Sequence, residues 1–264
     1  MESAGENNIP IIILDRPNPI GGNYVDGPVL DPNYKSFVGI AEIPITHGMT
    51  VGELSNYFVG EKLVSSWKNI SIKVVQCKNW RREIPEQYYS KWNSPSPNIN
   101  SLETAFVYPG TCLIEGTNIS EGRGTQFPFL QVGAPFFNSK DIIEKLNLLN
   151  IEGAEFQPVA FIPEDLEGMA TNPKFEGKTC YGIKIKVTDA AKFEAVKFGV
   201  NFLYIVTKLY RSKIIFNNTS IDRLSGTDIL RKEITKKIDP NKIFGSWQKG
   251  LTKFNKKRIK YLLY

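Results

Sequence analysis

A chain of 264 residues that is 41% hydrophobic and 12% aromatic can bury a sizeable core in one large or two ordinary domains, and its ordinary 23% of charged residues excludes global disorder. One histidine and three widely spaced cysteines, Cys77, Cys112 and Cys180, argue against a structural zinc site or a disulfide framework. The net charge of +6 is concentrated: eleven Lys/Arg against Glu233 and Asp239 give +9 from Arg231 to Tyr264, leaving −3 for the rest.

The start "MESAGENNIP" has neither the basic region nor the long apolar stretch of a secretion signal. "IPIIIL", Ile9 to Leu14, is a short unbroken apolar run, expected to be a parallel-type strand buried on both faces. Such a strand needs neighbours and covering helices, so the chain reads as beginning inside a domain. The turn-rich "DRPNPIGG" follows, with Asp15 and Arg16 at the strand's carboxyl end, where open α/β sheets bind ligands. An ordinary proline-stiffened turn explains the same residues. Ile43 to Thr46 is the next strand, and His47 lies just past it, placed for proton chemistry or for a structural role. Thr50 with Glu53 three residues on predicts a capped helix, and Ser71 to Trp80 another strand. This strand–helix–strand order suggests an α/β unit.

"EIPEQYYSKWNSPSPNIN" is rich in Pro, Asn and Ser and predicts a domain boundary, dividing the chain into 1–95 and 96–264. Beyond it, "TAFVYPGTCLIEG" reads as strand-like, and Ser139 as the N-cap of a helix. "VAFIPE" and "CYGIKIKVTD" alternate as strands do. A long helix is expected from Thr188; Lys192, Glu194, Lys197 and Lys208 interrupt it, so it is no membrane span. Helices near Thr227–Ile238 and Gly245–Tyr261 complete an α+β second part. Trp247, Leu251, Phe254 and Leu262 recur at helical spacing, making the basic C-terminus the solvated face of a packed helix or a dock for a polyanion.

"GTNISEGRGTQFPF", Gly116 to Phe129, is too polar for a core strand and too rich in glycine for a helix. Its glycine spacing fits neither a P-loop nor the dinucleotide fingerprint, which excludes the usual phosphate cradles. Thr117, Asn118, Ser120, Glu121, Arg123 and Thr125 offer donors and acceptors to sugar hydroxyls, with Tyr108 and Phe127 as aromatic faces. Glycoside cleavage needs two carboxyls, about 5–5.5 Å apart for retention or about 6.5–9.5 Å for inversion, and Glu115 and Glu121 are the local pair. Arg123 can equally pair with Glu121 to hold the loop. Sequons at Asn69, Asn118 and Asn218 matter only to a secreted chain.

Together, "LDRPNPIGG", "VDGPVLDPNYKSFVGIAEIPITHGMTVGEL", "SPSPNI", "YPGTCLIEGTNISEGRGTQFPF" and "GAPF" resemble the NamZ-like exo-β-N-acetylmuramidases, glycoside hydrolase family 171, from about Ile9 to the closing "KYLLY". The resemblance implies a partial Rossmann-like parallel-sheet domain, then a smaller α+β domain, with the site in the cleft between. It implies an exo-acting peptidoglycan hydrolase that removes terminal N-acetylmuramic acid from non-reducing ends. The alternative is a truncated homologue that binds cell-wall sugars without cutting them. Arg16, Asn18 and His47 would form one wall and Glu115, Asn118, Glu121, Arg123 and Thr125 the other, with Tyr108 and Ser120 also expected to bind substrate. Glu121, Glu115 and His47 are the expected catalytic residues, and Arg123 or Arg16 would hold the lactyl carboxylate. Family members begin with a longer segment containing Glu-His-Gly, a source of catalytic acid that this chain does not contain. The family is usually exported. No cofactor, metal or nucleic acid is expected; the partner is peptidoglycan or its MurNAc-GlcNAc fragments.

Overall fold

The computed structural model describes residues 1–83 and 92–264. Part of the expected boundary segment, 84–91, therefore lies outside the described residues. The first half holds α1 (Glu2–Glu6), β1 (Ile11–Leu14), β2 (Asp26–Val29), β3 (Pro44–Thr46), α2 (Val51–Gly60) and β4 (Ile72–Val75). β1 and β4 pair in parallel, Ile11 opposite Ile72 through Leu14 opposite Val75, with α2 in the crossover. β2 and β3 form a separate antiparallel pair, so Ile43 to Thr46, expected to head the strand–helix–strand unit, lies outside it and β1 takes that place. The Thr50–Glu53 capping box forms as its spacing predicts: the Thr50 hydroxyl accepts the Glu53 N–H, and the Glu53 carboxylate accepts the Thr50 N–H at 3.0 Å.

β1 departs from the expectation of burial on both faces. Ile11 and Ile13 are half-buried, whereas Ile12 is 65% and Leu14 71% exposed. Among the described residues β4 is the one partner strand, and α2 packs against the pair. Among the described residues little covers the outward side chains.

The second half holds α3 (Leu102–Thr111), β5 (Gln131–Ala134), α4 (Ser139–Asn147), β6 (Ala154–Phe161), β7 (Cys180–Val187), α5 (Ala195–Tyr210), α6 (Asn218–Ser225), α7 (Ile229–Thr235) and α8 (Pro240–Arg258). Its antiparallel sheet runs β5–β7–β6 with β7 central. "TAFVYPGTCLIEG", expected as a strand, is instead α3 followed by a 3-10 turn over Cys112–Gly116. Ser101 caps α3 by accepting the Thr104 N–H, and burial on nearly every side erases the helical period from its sequence. α4 is capped by Asn138, one residue before the expected Ser139, and α5 begins at Ala195 rather than Thr188.

α3 and α5 cross where two glycines meet. A Cβ on Gly110 would lie 1.8 Å from the Ala195 carbonyl, and one on Gly199 2.3 Å from the Gly110 carbonyl. The main core gathers here, including Val107, Phe129, Val132, Ile183, Phe198 and Leu203.

The chain's end returns to the first half. Arg258 donates to the carbonyls of Gly22, His47 and Gly48. The Leu263 N–H donates to Glu53 at 2.8 Å, and the Tyr264 hydroxyl donates to Asp15 at 2.8 Å. Asp15, at the end of β1, also accepts from Thr50 Oγ1 and the Gly52 N–H, so the last residue ties β1 to the start of α2.

Candidate active site

The Gly116–Phe129 loop earns its glycines. Gly122 and Gly124 adopt φ of 79° and 77°, and a Cβ on either would lie 2.5 or 2.4 Å from a backbone oxygen. Most of its polar side chains hold its own shape. Thr117 Oγ1 donates to the Ile114 carbonyl, and Ser120 Oγ accepts the Gly122 N–H. Thr125 Oγ1 donates to the Gly122 carbonyl and accepts from Phe127 N–H and Gln131 Nε2. Asn118 spends its amide on the Lys213 carbonyl and the Ile215 N–H. Phe129 closes the loop fully buried at φ 64°, a left-handed conformation costly for a bulky residue.

Glu115, Glu121 and Arg123 meet with a fourth residue, Lys174, which sequence reasoning missed. Arg123 Nη2 lies 3.1 Å from Glu115 and its Nε 3.5 Å from Glu121. Lys174 Nζ donates to Glu121 at 2.9 Å and to the carbonyls of Ile114, Glu115 and Ile119. One planar guanidinium bridges the two carboxylates. The guanidinium itself occupies the gap. Burial raises the Glu115 pKa from its ordinary value; Arg123 opposes that shift and Glu121 reinforces it.

On the other side of Tyr108 is a cleft. The Tyr108 ring packs edge-on against Phe129, 4.9 Å between centroids, with the Arg123 guanidinium 5.0 Å from that same ring. Tyr108, His47, Asn18 and Trp92 line a hollow of about 650 Å³. Arg16, Asn18, Thr50 and Trp92 line an adjoining hollow of about 500 Å³. The two share Asn18, Pro19, Trp92 and Pro95 and so lie side by side, a two-part groove around those residues. Arg16 is exposed and without an ion pair among the described residues. Asn18 donates to the Met49 carbonyl and accepts the Ile20 N–H.

His47 Nδ1 accepts the Met49 N–H, which leaves the ring proton on Nε2. Burial, then the nearby Arg258 charge, lowers its pKa to about 4, so the ring is neutral at neutral pH. A third hollow, about 770 Å³ and lined by Asn23, Asn150 and Asn201, contains none of the expected site residues. No group of three or more His, Cys, Asp or Glu able to hold a metal occurs among the described residues, and no helix among them is long and apolar enough to cross a membrane.

The structure thus brings Asn18, His47 and Tyr108 to one cleft, with Arg16 beside them, and gathers Glu115, Glu121 and Arg123 behind Tyr108. It also puts Trp92 and the 99% exposed Phe37 on the cleft. Neither carried a local signal beyond an aromatic residue in a turn-rich segment.

A family model described as exo-beta-N-acetylmuramidase NamZ, C-terminal, matches residues 106–264, and the corresponding N-terminal model matches 1–103. The peptidoglycan beta-N-acetylmuramidase NamZ of Bacillus subtilis (strain 168) is 43% identical over 266 residues. That match covers 100% of this chain and 62% of the relative, so the chain spans less than two thirds of the relative's length. Two crystal structures of DUF1343 family proteins from Bacteroides fragilis NCTC 9343 cover the whole chain. One has a TM-score of 0.88 at 28% identity, over 68% of its own length; the other 0.78 at 33%, over 69%.

Proposed function

The chain belongs to the exo-β-N-acetylmuramidase NamZ family, and on that premise we propose that it takes the terminal N-acetylmuramic acid at the non-reducing end of peptidoglycan fragments and releases it by hydrolysis. The carrying observation is the pair of adjoining hollows, which bring together an arginine with no ion pair among the described residues, a neutral histidine and two aromatic side chains. Muramic acid differs from glucosamine by a lactyl carboxylate, and a free guanidinium binds such a group through two charge-assisted hydrogen bonds. Arg16 suits that task better than Arg123, which already faces two carboxylates. Trp92 and Tyr108 offer faces to the apolar side of a pyranose, and His47 Nε2–H is a donor for a hydroxyl or acetamide oxygen.

Of the two glutamates, Glu115 has the environment of a proton donor, because burial favours its protonated form. Glu121, fixed by Lys174 and Arg123, is the carboxylate that orients them. We extend the fold reading in the same way. The β1–α2–β4 crossover supports part of a Rossmann-like sheet within 1–95, joined to an α+β domain over 96–264. Action outside the cytoplasmic membrane, where peptidoglycan lies, belongs to the same proposal.

One observation favours a second reading, sugar binding without cleavage. Both glutamates are held by Arg123, and neither lines the groove. Incubation with a MurNAc–GlcNAc disaccharide separates the two. Free MurNAc supports hydrolysis, binding without release supports the second reading, and neither binding nor release overturns both.

A further inference from the structure

From Pro240 to Tyr264 the sequence has seven Lys/Arg and no Asp or Glu. Two of these cations are engaged within the fold: Lys257 pairs with Glu61 at 2.6 Å, and Arg258 holds three carbonyls. Four others, Lys242, Lys249, Lys253 and Lys256, are exposed on α8 with no ion pair among the described residues. Their spacing of seven, four and three residues places them within an arc of about 60° along roughly 21 Å of helix. Ile243, Trp247, Leu251 and Phe254 are buried on the opposite face and anchor the row rigidly.

Like charges at i,i+4 destabilise a helix, and a merely solvated face does better with both signs mixed. This face has one sign only, on a chain whose first 230 residues are net negative. It therefore attracts polyanions directionally. Three kinds of polyanion surface compete for such a row. An anionic bilayer is best held by a helix that also inserts apolar side chains, but no large apolar residue of α8 is exposed. Single-stranded nucleic acid is best held where aromatic faces interleave with the cations. Here Trp247 and Phe254 are buried, and Phe244 packs against Trp247 with centroids 5.4 Å apart. What remains is recognition of charge alone.

We propose that the α8 lysine row is a docking track for a flexible, linear phosphodiester polymer without bases, of the polyol-phosphate class. The track lies apart from the groove, so it would hold the protein on an anionic matrix whatever chemistry the groove performs.

The test is fluorescence anisotropy of labelled poly(glycerol phosphate) with the full chain. Four phosphate contacts predict about a 50-fold loss of affinity between about 50 and 200 mM salt, on the single-strand slope of roughly −0.7 per contact. The triple variant K249Q/K253Q/K256Q should bind weakly at low salt and lose only about threefold over the same range. Gln has nearly the helix propensity of Lys, so melting should be unchanged; the single variant K253Q gives a smaller change in slope and serves if the triple variant is unstable. No binding at low salt, a flat salt response, or a triple variant equal to wild type would overturn the proposal. So would tighter binding to an oligonucleotide or to phosphatidylglycerol vesicles than to the polymer. Because no step reads sugar release, failure here is separable from failure of the hydrolase reading.

Discussion

His47 accepts the Met49 N–H and lies beside Arg258, and its folded pKa of about 4 is well below the ordinary 6.5. Between these values the unfolded chain binds a proton that the folded chain refuses, so stability rises with pH across that window. The contribution is complete above pH 6.5 and is lost as pH falls through about 4, at most about 3 kcal/mol. Melting temperature should therefore drop more steeply over this range in wild type than in His47→Asn; parallel curves would refute the assignment. Lys174 is tested by replacement. Lys174→Met leaves the Glu121 carboxylate with Arg123 alone and removes the shared donor of three carbonyls, and should cost about 3 kcal/mol in denaturant unfolding, whereas a cost under about 1 kcal/mol would mean that solvent replaces it. Residues were legible where a known spacing pattern joins the partners. The Thr50–Glu53 cap could be read because its spacing is three, but Lys174 reaches Glu121 across 53 positions. For Asn118, Ser120 and Thr125, the sequence showed their polarity but not that neighbouring backbone would use it.

At the scale of elements, the α3–α5 crossing makes a prediction of unusual sign. In an exposed helix Gly→Ala gains about 1 kcal/mol. Gly199→Ala should instead destabilise by about 2 kcal/mol, because its Cβ would lie 2.3 Å from the Gly110 carbonyl. A stabilised Gly199→Ala would show that the helices can separate at no cost. The same crossing explains why the α3 sequence resembles a strand. Phe106, Val107 and Tyr108 favour strands in isolation, and a helix buried nearly all round has no polar face to reveal its period. The amphipathic α8 and the alternating β7 were visible because each has one wet face.

Over the whole molecule, the chain's end acts as a strap. Tyr261, Leu263 and Tyr264 bond to Glu61, Glu53 and Asp15 in the first half. Deleting residues 261–264 should lower hydrogen-exchange protection in β1 and β4 while leaving β5–β7 protected. Equal loss throughout would make the strap a global element rather than a local one. The parallel character of β1 was legible, but its partner was not: the order suggested a unit of β3, α2 and β4, whereas β3 pairs antiparallel with β2 and β1 pairs with β4, and an apolar run records which residues seek burial, not what pairs with them or covers them. The central claim, that the groove selects muramic acid through Arg16, is tested most directly by calorimetry with MurNAc and GlcNAc on wild type and Arg16→Ala. Wild type should prefer MurNAc by about 10- to 100-fold, the worth of a charge-assisted pair, and Arg16→Ala should lose that preference while binding GlcNAc as before. Equal affinity for both sugars in wild type, or a preference that survives in Arg16→Ala, would contradict it.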